Sequence, residues 1–157
     1  MGRRASREMA MKLLYQLEFQ NDSIDEQKKL FFEENTISGK DQVYISDVVE
    51  GVSKNKDYIS NLIEVHSKGW KISRISKVDL SIMRLSIYEI CFRDDIPYSV
   101  SVNEAVELAK KFSNEDAGSF VNGILSKISG GDHPAEDQPT EDHSAEDYPV
   151  EETNDGG

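Results

Sequence analysis

Three arginines and a tyrosine near the start of the chain are the residues whose types best suit binding chemistry. They are Arg3, Arg4, Arg7 and Tyr15. A guanidinium pairs with phosphate, and a tyrosine ring stacks on an unpaired base. In a helix, Arg4, Arg7, Met11 and Tyr15 share a face about 80° wide, opposite much of the apolar stripe. These residues alone favour a solvated basic helix start with Tyr15 packed on its neighbour; the alternative is an RNA-binding face.

A second polar and aromatic group lies in the last third of the helical pattern. Lys110 and Lys111 close one predicted helix, and Asp116 stands where the next begins, as an N-cap. Phe120 follows with an apolar neighbour, so one of the two lies at the rim of the core. Gly123 costs a helix about 1 kcal/mol relative to alanine. Its presence indicates either close helix packing or an interaction surface.

The residues needed for enzyme chemistry are missing. His66 is the one histidine before the C-terminal segment, and Cys91 is the one cysteine of the chain. There is no Cys–His spacing for zinc and no glycine-rich phosphate loop. Cys91 lies in the apolar stretch IYEICF, which predicts a buried, inert thiol in a reducing cytoplasm. We therefore expect no catalysis, no metal and no cofactor.

The charge of the chain is unevenly distributed. Its 157 residues include 30 acidic and 18 basic residues, for a net charge of −12. Residues 132–157 hold ten of the acids and no lysine or arginine, so residues 1–131 carry only −2. This body is long enough for one domain with a core. The chain has no apolar run of transmembrane length and no secretory signal, which predicts a cytoplasmic protein without a membrane segment.

The C-terminal segment is a five-residue acidic repeat. Residues 134–153 read PAEDQ, PTEDH, SAEDY and PVEET. Such a composition cannot bury enough apolar surface to offset the entropy of ordering the chain. The sequence therefore predicts a helical domain over residues 1–131 and a disordered acidic tail over residues 132–157.

The positions of apolar residues predict that helices carry the candidate binding residues. Apolar residues recur at three- and four-residue steps, which is typical of amphipathic helices. A capping box at Ser76–Asp79 opens the most apolar helix, and a second at Ser101–Glu104 opens the next. The alternating stretch 99–102 is interpreted as an extended loop. We expect an all-α bundle of about seven helices, at residues 4–20, 24–35, 42–52, 58–69, 77–93, 102–112 and 117–129.

Three segments resemble the NusB transcription antitermination factors. They read RRASREMAMKLLYQLEF, GWKISRISKVDLSIMRLSIYEI and DIPYSVSVNEAVELAKKFSNEDAGSFVNGIL, and together they span residues 3–128. The combination of VNEAVELAKKF, SFVNGIL and the N-terminal arginine and Leu-Tyr segment is specific. The resemblance implies two small three-helix bundles plus an additional helix.

The resemblance also implies a non-catalytic function. Proteins of this family bind single-stranded boxA RNA from ribosomal operon leaders together with a small-subunit ribosomal protein, which acts as NusE. They help RNA polymerase to read through terminators. We expect the same partners here.

RNA-binding roles carry over from the family to eight positions: Arg3, Arg4, Arg7, Tyr15, Asp79, Arg84, Asp116 and Phe120. Asp79 would then be both a helix cap and a contact at the edge of the RNA. An acid beside RNA accepts hydrogen bonds from base amino groups, which gives selectivity. Ala5 and Ser6 interrupt the basic start, which indicates weaker phosphate attraction than in some relatives.

The acidic tail departs from the family pattern. One hypothesis is that it mimics RNA phosphates and folds back over the basic N-terminal helix; the other is that it only improves solubility. The reduced arginine run and the negative net charge also leave open an adaptor that contacts proteins alone. The docking face and the oligomeric state are not determined by the sequence.

Overall fold

The computed structural model describes residues 1–20 and 22–128. Within them the chain forms seven α-helices and no strand, which confirms the predicted class. The helices are α1 (Arg3–Leu17), α2 (Ile24–Asn35), α3 (Gly39–Lys54), α4 (Lys56–His66), α5 (Lys77–Phe92), α6 (Tyr98–Phe112) and α7 (Glu115–Leu125), with a 3₁₀ turn at Ile72–Arg74. None of these helices is both long and apolar enough to span a bilayer. The predicted tail lies outside the described residues.

The helices form two groups of three, as expected. α1, α2 and α3 pack on one another, and so do α5, α6 and α7. α4 is the additional helix and packs on α3 and α5, while a long contact between α1 and α5 joins the groups. Their buried side chains form one continuous apolar core, including the predicted buried thiol of Cys91.

α5 is the central helix of the molecule. Ser76 caps it by accepting a 3.1 Å hydrogen bond from the backbone N–H of Asp79, as predicted. Every residue from Asp79 to Cys91 is buried. Because α5 is enclosed on all sides, the polar side chains that it carries must find partners inside the protein.

The prediction of a loop at residues 99–102 is wrong. α6 begins at Tyr98, directly after Pro97, so this stretch is helical. Proline fixes its own φ near the helical value and suits the first positions of a helix. Ser101 therefore caps nothing; its hydroxyl donates a 2.8 Å hydrogen bond to buried Glu89.

The predicted N-cap of α7 is also wrong, and one of the two alternatives for Gly123 is excluded. Asn114, not Asp116, is the N-cap, and its side chain accepts a 2.8 Å hydrogen bond from the N–H of Ala117. Asp116 lies in the first turn, where a negative charge complements the helix dipole. Close packing against the described residues does not explain Gly123, because a Cβ placed there would meet none of their atoms within 4 Å. An interaction surface remains the open explanation.

Candidate nucleic-acid interface

The first two arginines lie on the surface at the start of α1. Arg4 is exposed and forms a two-pronged pair with Glu104, with N–O distances of 2.9 and 2.7 Å. This bond holds the pKa of Glu104 below its ordinary value. Arg3 is also exposed, and its guanidinium lies 4.4 Å from the centre of the Tyr44 ring. Both guanidiniums are within reach of a ligand in solvent.

Arg7 occupies a different environment, inside the protein. Its Nε donates to the Glu89 carboxylate at 2.9 and 3.2 Å, and the two side chains are 5% and 0% exposed. Glu89 also accepts hydrogen bonds from Ser101 and from Tyr44. Burial and the neighbouring carboxylate raise the pKa of the Tyr44 hydroxyl. The carboxylate of Glu89 is thus satisfied by three donors from three helices.

The prediction of one exposed face on α1 is therefore wrong for the residues in the middle of that face. Arg7 and Met11 are buried, whereas Arg4 and Tyr15 at its two ends are exposed. α1 contacts α2, α3 and α5, so it is covered over more of its circumference than its apolar stripe indicates.

The end of α1 presents an exposed aromatic pair. Tyr15 and Phe19 lie edge to face, with ring centres 5.1 Å apart. Phe19 is 62% exposed and was not among the predicted residues. One turn before Tyr15, the ammonium of Lys12 lies 5.6 Å from the ring centre of Phe112. Cations and rings therefore alternate along this side of α1.

Arg84 is buried beside the end of α1. Its Nη1 donates to Glu18 at 2.7 Å, and Glu18 also pairs with Lys56 and Lys77 at 3.4 Å each. Burial raises the pKa of Glu18, but Arg84 and the two lysines outweigh that effect and lower it. One carboxylate thus pairs with three cations and fixes the position of Arg84.

Asp79 has an unsatisfied carboxylate oxygen. Its Oδ1 is buried without a hydrogen-bond partner among the described residues, as is Nε of Arg84. Burial raises the pKa of the Asp79 carboxyl, although the Ser76 bond lowers it slightly. A ligand that brought an N–H donor to this oxygen would satisfy it.

Phe120 belongs to a second aromatic pair, with Trp70. Their ring centres are 6.1 Å apart and their planes meet at 69°. Trp70 is 51% exposed, and Asp116 is exposed one helical turn before Phe120. Trp70 is not among the residues predicted from the sequence. An isolated tryptophan between lysines in KGWK was the signal that could have found it.

The loop that carries Trp70 is held in a defined turn. Lys68 and Gly69 both adopt positive φ, at 54° and 92°. The hydroxyl of Ser67 lies 2.6 Å from the carbonyl oxygen of Trp70, and Glu64 accepts a 3.1 Å bond from the N–H of Ile72. The turn therefore presents the indole ring in a fixed place beside α7.

A groove beside this ring carries only positive charge. It is lined by Lys68, Gly69, Trp70, Lys71 and Arg74. We call these five residues the Trp70 groove. Within residues 1–20 and 22–128, none of its three cations pairs with a carboxylate, although most other cations of the body do. Free cations beside a stacking ring are what single-stranded nucleic acid binds.

A metal site is not formed by the described part of the chain, where no three His, Cys, Asp or Glu side chains gather.

The structure places the predicted residues in two settings. Arg3, Arg4, Tyr15, Asp116 and Phe120 are accessible, and Arg7 and Arg84 are enclosed in ion pairs.

Comparison with known proteins identifies the family. The sequence model of the NusB family matches residues 4–130. The chain is 57% identical to the transcription antitermination protein NusB of Ruminiclostridium cellulolyticum, over 90% of this chain and 97% of that protein. Its fold matches the solved structure of T. maritima NusB with a TM-score of 0.78 and 34% identity, over 87% of this chain and 96% of the other.

A second solved structure contains antitermination factors NusB and NusE in complex with dsRNA. This chain matches it with a TM-score of 0.72 and 29% identity, over 79% of its own length and 92% of the other. The family match over most of the chain, the close relative and the shared seven-helix fold lead to one conclusion: the chain belongs to the NusB family.

Proposed function

We propose that this protein is a non-enzymatic RNA-binding adaptor in transcription antitermination. It acts in the cytoplasm and binds boxA-type single-stranded leader RNA together with the small-subunit ribosomal protein that acts as NusE. As part of the RNA polymerase antitermination complex, it promotes readthrough in ribosomal RNA operons. Its family membership supports this proposal, and so does the solved relative with NusE and RNA.

The observation that carries the proposal is the pairing of Trp70 and Phe120 above free cations. The exposed indole offers a face on which a base can stack, and Lys68, Lys71 and Arg74 are free to neutralise the adjoining phosphates. Stacking on an aromatic side chain contributes about 1–3 kcal/mol per base. Tyr15 and Phe19 provide a second stacking surface on α1.

The eight predicted residues divide between contact and positioning. We assign direct RNA contacts to the accessible ones: Arg3, Arg4, Tyr15, Asp116 and Phe120. Asp79 is buried in the free protein, so its unpaired Oδ1 would accept a hydrogen bond from a base amino group only after RNA binding opened this end of α5. Arg7 and Arg84, enclosed by Glu89 and Glu18, act by positioning α1 and α5.

Binding by the protein alone should be modest, because carboxylates already occupy many of its cations. The ribosomal protein partner would enlarge the surface offered to the RNA and so raise the affinity. Specificity would come from stacking and from Asp79, while the cations set the salt dependence.

Fluorescence anisotropy with labelled boxA-type RNA and a scrambled control tests the proposal. It should be run with and without the ribosomal protein, at two salt concentrations. Phe120→Ala and Trp70→Ala should each weaken boxA binding about 5- to 150-fold. Leu30→Ala removes an equally exposed apolar side chain from α2 and should change nothing. Equal binding to both RNAs, or none even with the partner, would refute the proposal.

The second candidate is an adaptor that contacts only proteins. The pairing of Arg4, Arg7 and Arg84 with carboxylates favours it, since these groups would have to be released before they neutralised phosphates. Salt dependence separates the two functions. An RNA binder loses about 0.7 decades of affinity per decade of salt for each phosphate neutralised.

A further inference from the structure

We propose that the acidic repeat at residues 134–153 docks in the Trp70 groove of its own chain and competes there with RNA. The docking is inferred from charge and reach alone. Only the competition rests on the proposed function.

The Trp70 groove combines three cations with an exposed aromatic ring. Most lysines and arginines of the body have a carboxylate partner. Arg4 pairs with Glu104, Lys111 pairs with Glu8, and three cations pair with Glu18. In the described part of the chain, Lys68, Lys71 and Arg74 have none, and no acidic side chain lines the groove with them. Three free cations around an exposed indole attract a negatively charged segment.

The repeat has the opposite character. Each of its four units carries two adjacent acids, and residues 132–157 contain no lysine or arginine that would neutralise them. The body is close to neutral, so this segment is the largest single-sign charge in the chain. Its units also offer small apolar residues and Tyr148, which suit contact with an aromatic ring.

The distance between the two is short. The described chain ends at Ile128, eight residues after Phe120, which contacts Trp70. α7 advances about 8 Å from Phe120 to its end at Leu125, and the next three residues add at most about 10 Å. The first repeat unit starts six residues after Ile128, and six extended residues span at most about 20 Å. The first two units can therefore reach the groove.

Tethering makes weak contacts sufficient. A segment joined by a short linker has an effective concentration on the order of millimolar at its target. Charge pairs at an exposed groove are screened by salt, so the docking should be strong at low salt and lost at high salt. RNA that binds only through phosphates would be excluded more than RNA that also stacks on Trp70.

Trp70 is the only tryptophan in the chain, so its fluorescence reports on the groove directly. The test compares the intact protein with a full-length variant in which the eight Asp and Glu residues within 134–153 are changed to Asn and Gln. Acrylamide is the quencher, because it is neutral and senses physical shielding alone. We expect quenching of Trp70 to be about twofold stronger in the neutralised variant at low salt, because a millimolar local concentration half-fills a weak site. At 0.5 M salt, on the order of a 4 Å screening length, the two proteins should quench alike.

Binding of scrambled RNA to the same two proteins separates the possible failures. We expect the neutralised variant to bind scrambled RNA about two- to threefold more tightly at low salt, because a larger fraction of its molecules has a free groove. Equal quenching of Trp70 in both proteins at low salt overturns the docking, whatever the RNA result. Shielding of Trp70 with unchanged RNA affinity overturns the competition. Shielding in a protein that binds no RNA supports the docking and refutes the proposed function.

Discussion

Replacing Arg7 by methionine distinguishes a structural arginine from an RNA-binding one. Methionine has a similar length but no charge, so the substitution leaves the carboxylate of Glu89 buried without its cation. Glu89 is 0% exposed and would keep only its two hydroxyl donors, from Tyr44 and Ser101. Removing one partner of a buried ion pair costs about 3–5 kcal/mol.

The comparison is Arg4→Met, one turn earlier on the same helix. The side chain of Arg4 is 75% exposed, and exposed ion pairs contribute about 0–1 kcal/mol. Urea unfolding followed by far-UV circular dichroism measures both variants. A loss of 3–5 kcal/mol corresponds to a fall in Tm of roughly 10–20 °C in a domain of this size. Arg4→Met should lower Tm by only a few degrees.

A double variant tests the cause of the loss. Arg7→Met combined with Glu89→Met removes both charges, so no unpaired ion remains in the core. It should recover part of the stability that Arg7→Met loses. Recovery stays incomplete because Tyr44 and Ser101 lose their acceptor, at about 1–3 kcal/mol for each unsatisfied group.

RNA binding supplies the decisive second readout. At a temperature where all variants are folded, Arg7→Met should retain the salt dependence of boxA binding. Arg4→Met should lower its slope by about 0.7, as expected for one lost phosphate contact. If Arg7→Met were as stable as the wild type and lowered the slope, Arg7 would be a phosphate contact and the structural reasoning would be refuted.

Three further predictions concern other sites. Glu18→Gln should destabilise the fold, because it leaves Arg84 buried without its carboxylate. In the wild type, the stability that the Glu18 carboxylate contributes should be lost as pH falls through its lowered pKa. Acid titration followed by circular dichroism measures both effects. Gly51→Ala should destabilise the fold despite the better helix propensity of alanine, since the new Cβ would overlap the Tyr88 ring. At Gly123 a new Cβ would meet no atom of the described residues, so Gly123→Ala should stabilise the fold by about 1 kcal/mol. Thermal unfolding compares the two variants. The Asp79 carboxyl contributes stability that is greatest below the ordinary pKa of aspartate and is lost as pH rises through the raised pKa of the folded protein. Asp79→Asn should remove this contribution. The difference in unfolding free energy between wild type and variant should therefore change between acidic and neutral pH.

The helices and the main capping box could be predicted because their signals are local. Periodic apolar residues and the Ser76 cap depend only on residues a few positions apart, and both are confirmed. The start of α6 was missed because Val100 and Val102 also alternate as in a strand. Only packing against α5, with Val102 buried and Val100 exposed, distinguishes the two structures.

The environment of the candidate residues could not be predicted in the same way. Arg7 and its partner Glu89 are 82 positions apart, and Arg84 and Glu18 are 66 apart. No short-range pattern shows that these charges meet, so buried and exposed arginines look alike in the sequence. Trp70 could not be recognised for the same reason. It is a candidate site residue because its ring contacts Phe120, which α7 places against it.

The two buried ion pairs explain how one RNA surface can be built from two bundles. Arg7–Glu89 and Glu18–Arg84 both join the α1 region to α5. Tyr15 belongs to the first bundle and Phe120 to the second, so the spacing between the two aromatic pairs depends on how α1 sits against α5. A continuous strand of RNA can use both pairs only if that spacing is fixed. Under the proposed function, burying Arg7 and Arg84 would withdraw two cations from direct contact with phosphate and would fix the spacing of the exposed rings that a single RNA strand uses.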